Sequence, residues 1–150
     1  MDQYVIFTLG EQEYGIDIYL TKEILRIPQI TNMPNTPAFI EGVINLRGIV
    51  IPIIDLKKKF KFAQVERSVD NRLLILDLEG MNLGLIVDDV SEVIRIDEQE
   101  IEKLSTEICT MGANSLQGIA KVNERLILLL NASELKKEIF KYEHESELSL

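Results

Sequence analysis

The sequence predicts an all-β protein with short helices, arranged as two small barrels packed around a shared hydrophobic core. Three observations predict it. The first is an internal repeat. YGIDIYLTKEILRI, beginning at Tyr14, aligns with LGLIVDDVSEVIRI, beginning at Leu83, so that Gly15 meets Gly84, Glu23 meets Glu92, Arg26 meets Arg95 and Ile27 meets Ile96, a shift of 69 residues. EGVINLRGIVIPIIDL matches QGIAKVNERLILLLNA more loosely, with Gly42 opposite Gly118 and Asp55 opposite Asn131, a shift of 76 residues. The second observation is that each copy consists of short strand-like runs separated by turns, the pattern of a small barrel. The third is that VIFTL, IVIPII, LLIL and LILLL are apolar on both alternating parities. A barrel fills its interior with one side-chain face. A second apolar face has to be covered, and two barrels packed together cover each other.

The elements follow in order. YVIFTL (4–9) is apolar and β-branched, and a turn at Gly10–Glu11–Gln12 leads into YGIDI, which alternates as a half-buried strand does. YLTKEILRI (19–27) reads as extended, because it is rich in isoleucine and runs into Pro28. QITNMPNTPAFIEG carries Pro34 and Pro37 and reads as a loop with a short helical turn at Pro37–Glu41. Strands at 42–46 and 49–54 flank Gly48, and Asp55 is placed to cap a short LKKKF turn. The Lys57–Lys61 run, KKKFK, reads as a solvated face. RLLILDL, MNLGLIVDDV and SEVIRI repeat the strand texture, IDEQEIEKL (96–104) reads as a short helical turn, and STEICTMGANS as a loop. LQGIAKV and RLILLL are two more strands. Last comes a helix over 132–142, with Asn131 as N-cap, Glu134 at capping-box spacing, and Leu135 and Ile139 on one face. The chain, 1–150, is therefore expected to be one domain. Its first barrel repeat spans about 14–60 and its second about 83–130. Terminal segments complete the barrels, and the polar stretch 61–71 links the copies.

Composition narrows the function classes. With a net charge of −9 and a pI near 4.7, the chain repels phosphate backbones, which argues against nucleic-acid binding and against docking on an anionic membrane. Aromatic residues are 6% of the chain and tryptophan is absent, too few for a base-stacking platform. No apolar run is long enough to span a membrane, and MDQYVIFTLGEQ lacks the features of a signal peptide. A single cysteine, Cys109, fits a reducing, cytoplasmic setting.

No catalytic constellation is evident. His144 is the one histidine and lies in an acidic tail, so no nucleophile–base arrangement forms around it. Cys109 has no basic neighbour to lower its pKa. Asp88–Asp89 lacks a third ligand at EF-hand spacing and reads as strand-end turn residues rather than a metal site. There is no phosphate loop and no dinucleotide fingerprint. No cofactor is expected, and the remaining class is protein binding. A small-ligand-binding barrel, for an oligosaccharide or a nucleotide, with unrecognised enzymatic activity is the alternative. Acidity and scarce aromatics weigh against it.

At EGVINLRGIVIPIIDLKKKF the sequence resembles the CheW-type chemotaxis coupling proteins: a glycine, then Asn-Leu-Arg-Gly, an aliphatic run with proline, then Asp-Leu. FTLGEQEYGIDI and NTPAFIEG resemble the same family, and the likeness covers essentially the whole chain. The resemblance implies two five-stranded SH3-like barrels around a common core and no enzymatic activity. It implies an adaptor that joins chemoreceptor cytoplasmic tips to the regulatory domain of a CheA-type histidine kinase, working in the cytoplasm and recruited to membrane-associated receptor arrays. A kinase regulatory domain and the coupling half of a receiver fusion share the fold. A chain running from Met1 to just past the closing helix is expected to be the free-standing coupling protein.

Carried over position by position, the resemblance implies a receptor-binding groove between the barrels made of Thr21, Glu23, Ile24, Arg47 and Val93. Thr21 is more polar than the aliphatic residue expected there. Arg47 stands among aliphatics, and an ion pair with Glu23 is expected to give it a partner. Gly42 and Gly48 read as backbone positions that need a tight turn or close approach, and Pro52 as a strand edge or bulge. Arg125, in the Asn-Glu-Arg of the second copy, is not a second signature arginine and is expected in a turn role. Kinase docking is expected on the first barrel around Ile30, Pro34 and Phe39.

Overall fold

The computed structural model describes residues 2–63, 65–103, 115–137 and 139. Cys109, His144, the acidic tail and most of the STEICTMGANS loop lie outside the described residues. Eleven strands are described: β1 (Asp2–Leu9), β2 (Gln12–Asp17), β3 (Thr21–Arg26), β4 (Ile40–Leu46), β5 (Ile49–Asp55), β6 (Arg72–Leu78), β7 (Met81–Val87), β8 (Asp89–Ile96), β9 (Ile101–Glu102), β10 (Leu116–Val122) and β11 (Arg125–Leu130). The α-helices among the described residues are α1 (Leu56–Lys59) and α2 (132–137), and the end of the expected 132–142 helix lies outside the described residues. Residues 19–27 are extended from Thr21 onward, after one 3-10 turn at Ile18–Leu20. Of the 96–104 stretch, residues 96–103 are described and hold a 3-10 turn at Glu98–Glu100 followed by β9. At Pro37 the expected helical turn is a single bond, Ile40 N to Pro37 O at 3.0 Å, because β4 begins at once and takes the chain extended.

Two sheets form, in the orders β3-β6-β7-β5-β4 (barrel one) and β8-β1-β2-β11-β10-β9 (barrel two). The copies and the barrels do not coincide. Each copy opens with a hairpin, β1–β2 or β6–β7, and each hairpin is built into the barrel of the other copy. Two corners carry out the exchange. Asp17 accepts from Tyr19 N (3.0 Å) where the chain leaves β2 for β3. Asp88 N donates to Thr8 O (3.0 Å) where it leaves β7 for β8. The 61–71 stretch therefore joins two elements of barrel one rather than one barrel to the other. Its C-terminal end is tied down: Asn71 is buried, its Oδ1 accepts from Ser68 N (2.9 Å) and its Nδ2 donates to Asp88 O (3.2 Å).

Equivalent positions obey the two shifts throughout. Gly15 pairs with Leu129 where parallel β2 and β11 meet, and Gly84 pairs with Ile53 where parallel β7 and β5 meet. A Cβ on Gly84 would stand 2.4 Å from Ile53 Cδ1, and one on Gly15 would stand 3.0 Å from Leu129 Cδ2. Bulges fall at Lys22 against β6 and at Ser91 against β1, and again beside Gly42 and Gly118.

Burial explains why both strand parities are apolar. Ile44, Ile51, Ile53, Leu73, Ile75 and Ile86 fill barrel one. Tyr4, Ile6, Ile96, Ala120, Ile127 and Leu129 fill barrel two. The opposite parity, including Val5, Phe7, Ile16, Ile54, Leu74, Leu76, Leu85 and Leu130, makes the core between them, and Leu135 and Ile139 close it from the C-terminal helical segment. Removing a buried leucine or isoleucine side chain from such a core costs about 2–5 kcal/mol.

Candidate protein-docking site

Asn45, Arg47 and Gly48 build one corner of barrel one. Leu46 and Ile49 face each other across the β4–β5 ladder, which leaves a two-residue loop, Arg47–Gly48. Such loops favour positive φ at both residues. Arg47 has φ 51°, Gly48 has φ 87°, and Asn45 Oδ1 accepts from Gly48 N (2.9 Å). Arg47 is thus at a turn tip, not inside the aliphatic run, and its side chain is 66% exposed. Its Nη2 donates to Glu23 Oε2. That pair joins the β4–β5 turn to edge strand β3, so Arg47 and Glu23 are brought together as the sequence led us to expect.

Thr21 opens β3, half-buried, its hydroxyl donating to Asp17 O (3.4 Å). Ile24 is 45% exposed and its equivalent Val93 47% exposed. Each lies on an edge strand of a different sheet. Ile24 stands opposite Leu74, and Val93 opposite Val5. Leu74 and Val5 belong to the inter-barrel core, so Ile24 and Val93 carry that face outward into solvent. Val50 and Leu126, related by the 76-residue shift, are likewise exposed and were not singled out in the sequence.

Gly42 meets its expectation in a particular form: φ is 145°, and a Cβ there would lie 2.0 Å from Thr31 O, so the constraint is close backbone approach. Pro52 is corrected. β5 lies inside its sheet, between β7 and β4. Val43, opposite Pro52, turns both its N–H and its C=O to Thr31 (2.9 Å each), and parallel pairing with β7 starts only at Ile53. Proline is accepted here because no ladder bond needs its missing N–H. Among the kinase candidates, Ile30 packs at the rim of barrel one, Phe39 packs against the shared core beneath Lys59 (Nζ 4.8 Å from the ring centroid), and Pro34 is exposed.

The KKKFK run is corrected too. Lys57 pairs with Asp88 (3.2 Å), and Lys58 pairs with Glu41. Asp55, fully buried, accepts from Lys57 N (2.9 Å) and Lys58 N (3.2 Å) on Oδ1 and from Arg67 on Oδ2. The cap was expected and the arginine was not.

Arg125 is the largest departure. It is the first residue of β11, past the Asn123–Glu124 turn, and not a turn residue. It donates from Nε (2.9 Å) and Nη2 (2.6 Å) to the two oxygens of Glu13, and lies 2.8 Å from Glu92. Hydrogen bonding to Arg125 holds the Glu13 carboxyl below its ordinary range, and the two carboxylates raise the arginine. Glu92 is the equivalent of Glu23. A carboxylate recurring at the 69-residue shift was the one sequence signal that a second cation belonged here.

With this geometry in hand, comparison with known proteins is direct. Residues 3–139 match the CheW-like domain model. The chain is 37% identical over 133 residues to a chemotaxis protein CheW of Klebsiella aerogenes, covering 89% of this chain and 80% of that one. It is 31% identical over 132 residues to a chemotaxis protein CheW of Bacillus subtilis, covering 88% and 85%. The crystal structure of the scaffolding protein TtCheW from Thermoanaerobacter tengcongensis superposes with a TM-score of 0.80 at 43% identity, covering 87% of this chain and 84% of that one. The chain belongs to the CheW-like domain family.

Proposed function

We propose that the chain is a non-catalytic chemotaxis adaptor, coupling the cytoplasmic tips of methyl-accepting chemoreceptors to the regulatory domain of a CheA-type histidine kinase. Membership of the family supports this reading. The observation that carries it to particular residues is the pair of exposed aliphatics, Ile24 and Val93, at the solvent margin of the inter-barrel face. A helix laid against an apolar strip is a recurring recognition mode. Thr21, Glu23, Ile24, Arg47 and Val93 form the receptor surface in this reading, with the Arg47–Glu23 pair holding β3 against the β4–β5 turn. Pro34 and its loop offer the kinase surface, while Ile30 and Phe39 shape that loop from beneath. The adaptor acts in the cytoplasm at membrane-associated arrays, where weak contacts add up through multivalency.

The experiment is a calorimetric titration with the regulatory domain of a histidine kinase from the same cell. Saturable 1:1 binding is expected. Absence of binding between two folded proteins would contradict the kinase half of the proposal. Thermal melting against nucleotide and sugar panels tests the small-ligand alternative, since a ligand selective for the native state raises Tm. No shift is expected.

A further inference from the structure

The faces that carry Ile24 and Val93 also carry charge. Two residues beyond each stand Arg26 and Arg95, themselves equivalent under the 69-residue shift and both exposed. The carboxylates of the same strand segments are already engaged, Glu23 by Arg47 and Glu92 by Arg125. Among the described residues neither Arg26 nor Arg95 has an acidic partner, in a chain with 25 aspartates and glutamates. Arg26 stands directly opposite Arg72 on β6, a like-charge pairing that disfavours the sheet. Arg72 adds no acid, since its Nη1 donates to the carbonyls of Val69 and Asn71 at 3.0 Å. Arg95 stands opposite Gln3. Neither Asp2 on β1 nor Asp97, just past the end of β8, makes an ion pair with it among the described residues. In a molecule of net charge −9, the outer faces of both edge strands are left apolar and positive.

We infer that β3 and β8 recognise an acidic amphipathic helix, its aliphatic side chains on Ile24 and Val93 and its carboxylates on Arg26 and Arg95. The spacing fits. Two strand residues span about 6.7 Å, and four helical residues rise about 6 Å, so a helix along either strand sets an apolar group at i and a carboxylate at i+4 against the pair. This rests on the receptor reading of the same face and adds to it what the receptor segment must carry. Edge strands also use cations to block pairing with other chains, and the test separates that role.

The test is a titration of the purified cytoplasmic tip fragment of a chemoreceptor from the same cell into four proteins: wild type, Arg26→Gln/Arg95→Gln, Arg26→Glu/Arg95→Glu, and Ile24→Ser/Val93→Ser. Each is run at two ionic strengths, with binding to the kinase regulatory domain as the folding control. The neutral arginine pair is expected to bind the receptor about tenfold more weakly with a flattened salt dependence. The reversed pair should lose binding and regain it with a receptor fragment whose tip carboxylates are changed to lysine. Wild-type affinity and salt dependence in both arginine variants, with loss in the Ile24/Val93 variant, overturns the inference and leaves the receptor reading standing. Self-association of the arginine variants with unchanged receptor affinity assigns Arg26 and Arg95 to edge protection and also overturns it. Wild-type affinity in all three variants, or no binding by wild type, removes the receptor reading and the inference with it.

Discussion

In barrel one the carboxylate of Glu23 is met by Arg47, a turn residue whose side chain is 66% exposed. In barrel two the equivalent carboxylate, Glu92, is met by Arg125, which stands on β11 at the place Ile49 holds in the first copy and is 37% exposed. A turn residue reaches one partner from solvent. A strand residue sharing the face of Ile127 reaches across to Glu13 as well, and grips it with two bonds. The repeat has kept the acid and moved the base, and the move turns a single exposed pair into a three-membered cluster. Barrel one is thus left with the adjustable corner and barrel two with the fixed one.

The largest difference between the halves should come from their bulge glycines. A Cβ on Gly42 meets Thr31 O at 2.0 Å with φ at 145°, whereas one on Gly118 meets Glu102 O at 2.7 Å with no positive φ. Gly42→Ala is expected to cost about 3–5 kcal/mol and Gly118→Ala about 1–3 kcal/mol, read from urea denaturation midpoints. Equal losses would mean that the two bulges relax alike.

The caps come next. The Asp55 side chain holds two N–H groups and Arg67, while among the described residues the side chain of its equivalent Asn131 accepts from Glu134 N (3.3 Å). Asp55→Ala should cost about 2–4 kcal/mol and Asn131→Ala about 1 kcal/mol by the same measurement.

The arginines themselves come last on stability. Arg125→Ala is expected to cost about 1–2 kcal/mol and Arg47→Ala about 0–1 kcal/mol. Function should invert that order, with Arg47→Ala weakening receptor binding while the fold holds. The cluster should also show in pH. The folded pKa of Glu13 lies below its ordinary 4.5, so its contribution is complete above pH 4.5 and declines as pH falls through the lower folded value. The stability gap between wild type and Arg125→Ala should therefore narrow in acid. A constant gap between pH 7 and pH 3 would remove Glu13 from the account.

Much of this was legible in the sequence for identifiable reasons. Alternation and turn residues placed the hairpins, parity placed the shared core, and the shifts of 69 and 76 residues proved to be structural equivalences down to the bulges. The hairpin exchange was not legible, because a repeat says which segments are alike and not which copy each will pair with. Asp17 and Asp88, which turn the chain at the crossings, look like ordinary turn acids in sequence. Arg47 and Glu23 could be paired because the family resemblance placed both at one groove, although Arg47 proves to be an exposed turn residue rather than a cation inside the aliphatic run. Arg125 could not, since one of its carboxylates comes from β2, which joins it only through the exchanged hairpin. The lysines of α1 looked idle because Asp88 and Glu41 lie far off in sequence.

The most direct test of the adaptor account is a bridging assay. Receptor tip fragments on a membrane-mimetic support would be sedimented with the kinase regulatory domain, with and without this protein. The account predicts that the kinase domain pellets only when the protein is present, and that Arg47→Ala lowers the amount without unfolding the chain. A kinase domain left in the supernatant at saturating wild-type protein would contradict it.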